Sequence, residues 1–351
     1  MILGLIMKKI KVGILGATGA VGQRFIQLLE NHPIFEVDFL MASKRSSGKK
    51  YIDAVNWKMD TPIPNSIRDI VVQSETKTDS LLLFSGLDSS VALEIERAFA
   101  EDGKIIISNS KNHRMYDNVP LLIPEVNYDH IKLVESQKSK GKIITNPNCS
   151  TTFFALVAGV LNKRWPIKEI NVVTMQAISG AGYPGLPSYD ILDNVIPYIE
   201  GEEEKMEIEP LKIMGKLLKD KIEYSDIVIS SQANRVAVID GHLENLSIKF
   251  KKDTPSVEEI NDYLESFESD LYHMGLHSAV KNPIKVFKEL KNRPQTRVDR
   301  MIENGMAVSV GRVRKDPIFD IKMVVLGHNT IKGAAGGAIL NAELYCNYYL
   351  S

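Results

Sequence analysis

Ile10-Lys11-Val12-Gly13-Ile14-Leu15-Gly16-Ala17-Thr18-Gly19-Ala20-Val21-Gly22 is the stretch on which the fold turns. Ile10, Val12 and Ile14 recur at period two, so one side of an extended segment is apolar until Gly16 interrupts it. From Ala20 the period changes. Val21, Phe25, Leu28 and Leu29 fall on one face of a helix that Asn31-His32-Pro33 stops. A strand that runs through glycines into a helix opens a βα unit. Gly16, Thr18, Gly19, Ala20, Val21 and Gly22 then form a turn whose glycines let the backbone approach a pyrophosphate at a helix N-terminus. The spacing is G-x-x-G-x-x-G rather than G-x-G-x-x-G, so a tight turn without a ligand also suits it.

Working outward, strand-like and helix-like segments keep alternating. Val37 to Ala42, Ile70 to Val72, Leu81 to Ser85, Ile105 to Ser108 and Ile143 to Thr145 read as strands, and Val91, Ile95, Ala98 and Phe99 share a helical face. Such alternation predicts a parallel sheet covered on both sides. Beyond about residue 150 the apolar residues alternate cleanly, as in Leu246, Ile248 and Phe250, in Met306, Val308 and Val310, and in Phe319, Ile321, Met323 and Val325. That pattern predicts a second sheet with one buried face, mixed or antiparallel. A last helix is expected from Ile331 to about Tyr349, with Gly333, Ala334, Ala335, Gly336 and Gly337 allowing close packing.

Composition bounds the function. A chain of 351 residues suits two domains, and 44% hydrophobic with 25% charged residues is an ordinary globular balance. The 43 basic and 44 acidic residues leave a net charge of −1, which gives no reason to expect nucleic acid or an anionic membrane as the main partner. The two cysteines, Cys149 and Cys346, have no metal-ligand spacing, and a reduced, cytoplasmic protein follows. Met1-Ile2-Leu3-Gly4-Leu5-Ile6 lacks the basic start, length and cleavage site of a signal peptide, and Met7 before Lys8-Lys9 is an equally good start codon. No apolar run approaches the ~20 residues of a spanning helix.

Two segments carry chemistry. An acidic residue about 20 positions beyond the glycines would hold the ribose of NAD. Here the second strand runs instead into Ser43-Lys44-Arg45-Ser46-Ser47-Gly48-Lys49-Lys50. Hydroxyls and cations without a carboxylate suit a 2′-phosphate and favour NADP, with a solvated basic loop as the alternative. Asn146-Pro147-Asn148-Cys149-Ser150-Thr151-Thr152 places a thiol between a strand and a helix. Backbone N–H groups and the helix dipole there lower a cysteine pKa and predict a nucleophile. A buried structural cysteine fits the segment alone equally well. Ser150, Thr151 and Thr152 suit either a helix cap or a phosphate contact. His273 and His277 have the spacing of a metal pair on a helix, but no third ligand accompanies them and no metal is expected.

Met175-Gln176-Ala177-Ile178-Ser179-Gly180-Ala181-Gly182-Tyr183 and Asn234-Arg235-Val236-Ala237-Val238-Ile239-Asp240-Gly241-His242 complete the picture. With the cysteine segment and glycine loop, they resemble the aspartate-β-semialdehyde dehydrogenase family, in particular its archaeal and fungal branch, over nearly the whole chain. The resemblance implies NADPH-dependent reduction of L-aspartyl 4-phosphate to L-aspartate 4-semialdehyde through a cysteine thioester, in the route to lysine, methionine and threonine. It implies Cys149 as nucleophile, His242 as acid/base and Gln176 as a substrate-orienting group. Arg235 would hold the substrate carboxylate, Arg114 and Lys205 its phosphate, and Glu202 its amino group, with Glu203 and Glu204 as alternatives to Glu202. Asn148 fits the amino acid substrate. The glycine loop, Ser43, Arg45, Ser46, Ser179, Gly180, Asn329 and Thr330 would hold NADP(H).

The implied fold is α/β: a Rossmann-type nucleotide-binding domain (1–148 and 330–351) and an α+β catalytic and dimerisation domain with a mixed, largely antiparallel sheet (149–329). A homodimer or homotetramer is the implied assembly. The nearest rival is an NADPH-dependent malonyl-CoA reductase built on the same cysteine. Ser179 to Gly185 does not separate the two, whereas Asn148 and the Glu202/Lys205 pair favour the amino acid substrate. A non-catalytic NADP-binding sensor is a rival from another class, but it has no use for a thiol, an imidazole and an arginine in one pocket.

Overall fold

The computed structural model describes residues 9–350, so the Met1–Ile6 extension and its alternative start lie outside it. The period-two segment forms β1 (Ile10–Leu15), and the amphipathic run after the glycines forms α1 (Ala20–Leu29). β2 (Phe35–Met41), β3 (Leu82–Ser85), β4 (Ile105–Ser108) and β5 (Lys142–Thr145) join β1 in a parallel sheet of order β2-β1-β3-β4-β5. The order reverses at β1, which opens a crevice above the carboxyl ends of β1 and β3, where open α/β sheets bind ligands. Gly16 sits there at φ +80, and a Cβ on it would lie 2.8 Å from the Gly86 carbonyl oxygen. Only glycine fits that turn.

One expected strand is absent. Ile70 to Val72 does not enter the sheet and makes only isolated bridges, Lys50 to Val71 beside Gln73 to Met41. The run is too short to offer more than one ladder contact to the edge strand β2. On the other face of the sheet lies α2 (Ser89–Glu101), capped by Asp88.

α3 (Cys149–Arg164) leads into the second layer. Its residues from Ser150 to Leu161 are buried on every side, which is the pattern of a helix enclosed in a core rather than laid on a surface. It packs against a seven-stranded mixed sheet of β6 (Ile167–Gln176), β7 (Val195–Ile196), β8 (Val228–Val236), β9 (His242–Phe250), β10 (Ile284–Phe287), β11 (Val308–Lys315) and β12 (Ile321–Gly327). The order is β10-β11-β12-β9-β6-β8-β7. Leu246, Ile248, Ile321, Met323 and Val325 lie on the buried face, as their alternation predicted, and Val172 joins them. α4 (Glu202–Ile213) covers α3 from outside.

The chain then returns to the first sheet. Ile331–Ala335 makes a wide π turn before α5 (Gly336–Tyr349), so the last helix starts later than its apolar run suggested. Ala338, Ile339, Leu344 and Cys346 share one core with Val12, Ile14 and Phe84. Cys346 is a packing residue.

Candidate active site

Asn148 rather than Ser150 caps the helix that carries the thiol. Its side-chain oxygen accepts from the N–H groups of Ser150 at 3.0 Å and Thr151 at 3.2 Å. The Thr152 hydroxyl turns back to the Asn148 carbonyl at 3.0 Å, so none of the three hydroxyls is the cap. Cys149 is the first residue of the helix and partly exposed, in a cleft of about 1070 Å³ between the two sheets.

Three strand ends bring the remaining chemistry to the thiol. Gln176 ends β6, Arg235 pairs with it across β8, and His242 begins the antiparallel neighbour β9. His242 Nε2 lies 3.2 Å from Cys149 Sγ. Its Nδ1 accepts from the Ala177 N–H at 3.0 Å, while Arg235 Nη1 donates to the Ala177 carbonyl at 2.7 Å. Gly180 lies against both, and a Cβ there would be 2.7 Å from Arg235 Nη1. Gly333 brings the returning chain close to the thiol: its Cβ would be 2.9 Å from that of Cys149.

α4 sets its three leading glutamates in different surroundings. Glu202 is buried and accepts from Asn148 Nδ2 at 2.8 Å and from Lys205 Nζ at 2.6 Å. Glu203 turns to the Ala233 N–H, and Glu204 is exposed. Two turns beyond Glu202, the buried Glu209 accepts from Arg114 Nη1 at 2.7 Å and from the Asn148 N–H at 2.6 Å. Sequence reasoning passed over Glu209, one acid in a Lys/Glu-rich helix. It also passed over Lys212, which donates to the carbonyls of Arg114, Tyr116 and Val119 at 2.7–2.8 Å and so fixes the Arg114 loop. Arg114 Nε has no hydrogen-bond partner among the described residues.

The electrostatics reverse one expectation. Burial, then the Glu202 carboxylate, push the Cys149 thiol up to about 12, against Lys205, Arg235 and the Ser150 N–H. The helix N-terminus is where it was expected, yet the desolvated pocket outweighs it. Burial, then Arg235, hold His242 down at about 3, so thiol and imidazole are both neutral at rest. Burial also opposes ionisation of Glu202, but Lys205 and the amides of Asn148 and Gln176 outweigh it and keep that carboxyl below its ordinary value.

At the other end of the cleft, Gly16, Thr18, Gly19, Ala20 and Val21 line the wall. Gly22 does not: it lies behind the loop, where a Cβ would be 2.2 Å from the Gly16 carbonyl oxygen. Ser43 reaches the cleft, as does Lys44, but not Arg45 or Ser46. Ser46 is buried, with its N–H on the Ser43 carbonyl, and that turn carries Arg45 into solvent. Ser179, Gly180, Asn329 and Thr330 line the middle. Asn329 ties the Ser179 hydroxyl to the Gly241 N–H, both at 2.8 Å, and Thr330 accepts from Arg24 at 3.1 Å. His273 meets Glu268 on the surface while the His277 ring faces His32, so that pair does not converge.

Residues 11–134 match the family model described as semialdehyde dehydrogenase, NAD binding domain, and residues 157–332 match its dimerisation domain. The chain belongs to the semialdehyde dehydrogenase family. It is 49% identical over 358 residues to the aspartate-semialdehyde dehydrogenase of Saccharomyces cerevisiae, covering 96% of this chain and 97% of that protein. It is 46% identical to the enzyme of that name from Archaeoglobus fulgidus, covering 95% and 97%. The crystal structure of the Candida albicans aspartate-semialdehyde dehydrogenase with NADP superposes with a TM-score of 0.89 at 43% identity, covering 96% of this chain and 98% of that one. The nucleotide-binding and dimerisation folds of the family are therefore those seen in the two sheets.

Proposed function

We propose that this member of the family is an NADP(H)-dependent aspartate-semialdehyde dehydrogenase that interconverts L-aspartyl 4-phosphate and L-aspartate 4-semialdehyde on the route to lysine, methionine and threonine. The observation that carries the reading is Cys149 Sγ at 3.2 Å from His242 Nε2, at the end of a helix whose cap is shared with Glu202. Cys149 attacks the acyl carbon and holds the aspartyl group as a thioester. Arg235, a planar two-pronged donor, receives the substrate carboxylate, with Gln176 beside it. Glu202 receives the amino group, next to Asn148, and Lys205 and Arg114 receive the phosphate. The Glu202 carboxylate has no comparable use in binding an acyl-CoA, which sets malonyl-CoA reduction second.

The glycine loop fits a dinucleotide. Gly16 and Gly19 line the cleft beside the start of α1, where bare backbone and free N–H groups suit a pyrophosphate. Gly16, Thr18, Gly19, Ala20 and Val21 would hold that group, Ser43 and Lys44 the 2′-phosphate, and Ser179, Gly180, Asn329 and Thr330 the nicotinamide end. When bound, NADP(H) gives or takes the hydride.

The nucleotide domain is assigned to 1–148 and 330–351 and the catalytic domain to 149–329, a division supported by the common core of β1 and α5. A homodimer or homotetramer in the cytoplasm completes the proposal. The exposed Tyr189, Leu192, Val195 and Tyr198 beside edge strand β7 suit a subunit contact, and no helix among the described residues is long and apolar enough to cross a membrane. The test follows NADP⁺ reduction with aspartate semialdehyde and phosphate for the wild type and Cys149→Ala. Loss of turnover in the variant is expected, and equal rates would end the thioester reading. Faster turnover of malonate semialdehyde with CoA would replace the substrate assignment.

A further inference from the structure

Four charged residues of α4 fall on one helical face: Glu202, Lys205, Glu209 and Lys212, spaced i, i+3, i+7 and i+10. Glu202, Glu209 and Lys212 are turned inward, at 5%, 2% and 1% exposure. Glu202 pairs with Lys205 beside Asn148, and Glu209 takes the Arg114 guanidinium. Lys212, at the end of the row, donates instead to three backbone carbonyls: Arg114 at 2.8 Å, Tyr116 at 2.7 Å and Val119 at 2.8 Å.

Those carbonyls belong to a stretch with little regular structure of its own. Residues 109–120 leave the end of β4 in turns, closed by backbone bonds of 3.1–3.3 Å from Arg114 to Lys111, Tyr116 to His113 and Val119 to Tyr116. Buried carbonyls outside a helix or sheet need donors from elsewhere. Three of them aimed at one point also repel one another, and an ammonium with three N–H groups is their complement. A neutral amine has two N–H groups and would leave one carbonyl bare. The same loop sets Arg114, whose Nη2 donates back to the Asn109 carbonyl at 2.7 Å. α4 therefore holds this arginine twice, its side chain through Glu209 and its main chain through Lys212.

We propose that Lys212 is a positioning residue for phosphate: its ammonium clamps the Arg114 loop to the helix that carries Lys205, and phosphate binds tightly only while that clamp is charged. The inference rests on the reading above in which Arg114 and Lys205 receive the phosphate. Lys212 is enclosed, so it acts through the loop and not by touching the anion. Burial brings its ammonium down to about 8, against Asp117 of the same loop. The clamp is therefore complete below that pH and is lost as pH rises through it. From Tyr128–Ser136, the neighbouring ring is His130. Burial, with Lys212 adding to it, holds that imidazole below its ordinary value against Asp129 and the Gly215 backbone, so it is neutral throughout the alkaline range. On α4 itself, Glu209 is engaged by Arg114 and the Asn148 N–H. The Cys149 thiol at about 12 and His242 at about 3 titrate outside pH 7–9, and phosphate takes its second ionisation near pH 6.

The test measures KM for phosphate and for aspartate semialdehyde from pH 7 to 9 in wild type, Lys212→Met and Lys212→Arg. At pH 7 the methionine variant should raise the phosphate KM about tenfold, the loss of one hydrogen bond to a charged group, and leave the aspartate semialdehyde KM nearly unchanged. The wild-type phosphate KM should climb toward the methionine value as pH passes 8. Both variants should stay level, the arginine one low, because a guanidinium keeps its charge. Ionisations of the substrates act on all three proteins alike. Equal rises in both KM values, or a loss confined to kcat, would make Lys212 a merely structural part and overturn the proposal. So would a level wild-type curve, or the same climb in Lys212→Met. Should the variants fail to fold, the wild-type curves decide alone on the same terms. If the wild type reduces NADP⁺ with aspartate semialdehyde at no phosphate concentration, the acyl-phosphate reading fails and takes the phosphate role of Lys212 with it. Phosphate-dependent turnover with an unresponsive phosphate KM fails the proposal alone.

Discussion

Glu209 stands between two donors, and its replacement offers a sharp test of how the site is held. Its carboxylate accepts from Arg114 Nη1 through one oxygen and from the Asn148 N–H through the other, at 2.7 and 2.6 Å. Glu209 is 2% exposed and Arg114 7%, so water reaches neither in quantity. Glutamine matches the shape but has one oxygen and one NH₂ group. Both neighbours are donors, so whichever way the amide turns, its NH₂ meets another N–H. Breaking a buried ion pair from one side costs about 3–5 kcal/mol. A hydrogen bond to a charged group contributes about 1.5–3 kcal/mol. Glu209→Gln keeps one bond and should cost about 3 kcal/mol, with Glu209→Ala near the upper end of the ion-pair range. The loss falls on Arg114 and on the residue before Cys149, so the KM for phosphate should rise about tenfold, equivalent to 1.4 kcal/mol. The KM for aspartate semialdehyde should move less. Urea unfolding and initial rates check both numbers. A glutamine variant within about 1 kcal/mol of wild type, with an unchanged phosphate KM, would refute the bridging role.

Three further substitutions probe a buried carboxyl and the nucleotide end of the cleft. Burial, with the Glu202 carboxylate adding to it, raises the Glu244 carboxyl well above its ordinary value. The unfolded chain loses that proton from about pH 4.5 upward while the folded chain keeps it, so wild-type stability falls as pH rises through that window. Glu244→Gln removes the penalty, and its stability relative to wild type should grow as pH rises above about 4.5, by up to about 1.4 kcal/mol per pH unit while the folded carboxyl keeps its proton; a constant difference in urea titrations contradicts this. At the nucleotide end, Lys44→Ala should raise the KM for NADPH about tenfold, the loss of one charge-assisted bond. Arg45→Ala should leave it nearly unchanged, and the reverse order would return the 2′-phosphate to Arg45.

The parts of the molecule legible in the sequence are those set by local periodicity. β1, the glycine turn and α1 follow from the switch between period two and period 3.6 within Ile10–Leu29. The cysteine's place at a helix start was equally visible, because strand and helix meet at Asn148. What could not be read there is tertiary. Ile70 to Val72 has strand-like residues but no room for a ladder. Arg45 and Lys44 are adjacent cations, and only the Ser43–Ser46 turn decides which reaches the cleft. Glu209 looks like any acid on a solvated helix until the Arg114 loop is laid across it. The partner of His242 Nδ1, the Ala177 N–H, stands 65 positions away along the chain.

The direction of the Cys149 shift follows from the same distinction and gives the site its logic. A helix N-terminus favours a thiolate, but a desolvated pocket holding the Glu202 carboxylate favours the thiol, and the pocket wins. A protonated sulfur is a poor target for oxidants, since the thiolate is the reactive species. That restraint protects a cysteine partly open to its cleft. It also requires a proton acceptor beside the sulfur when substrate arrives, and the group standing there is His242, with Nε2 at 3.2 Å from Sγ.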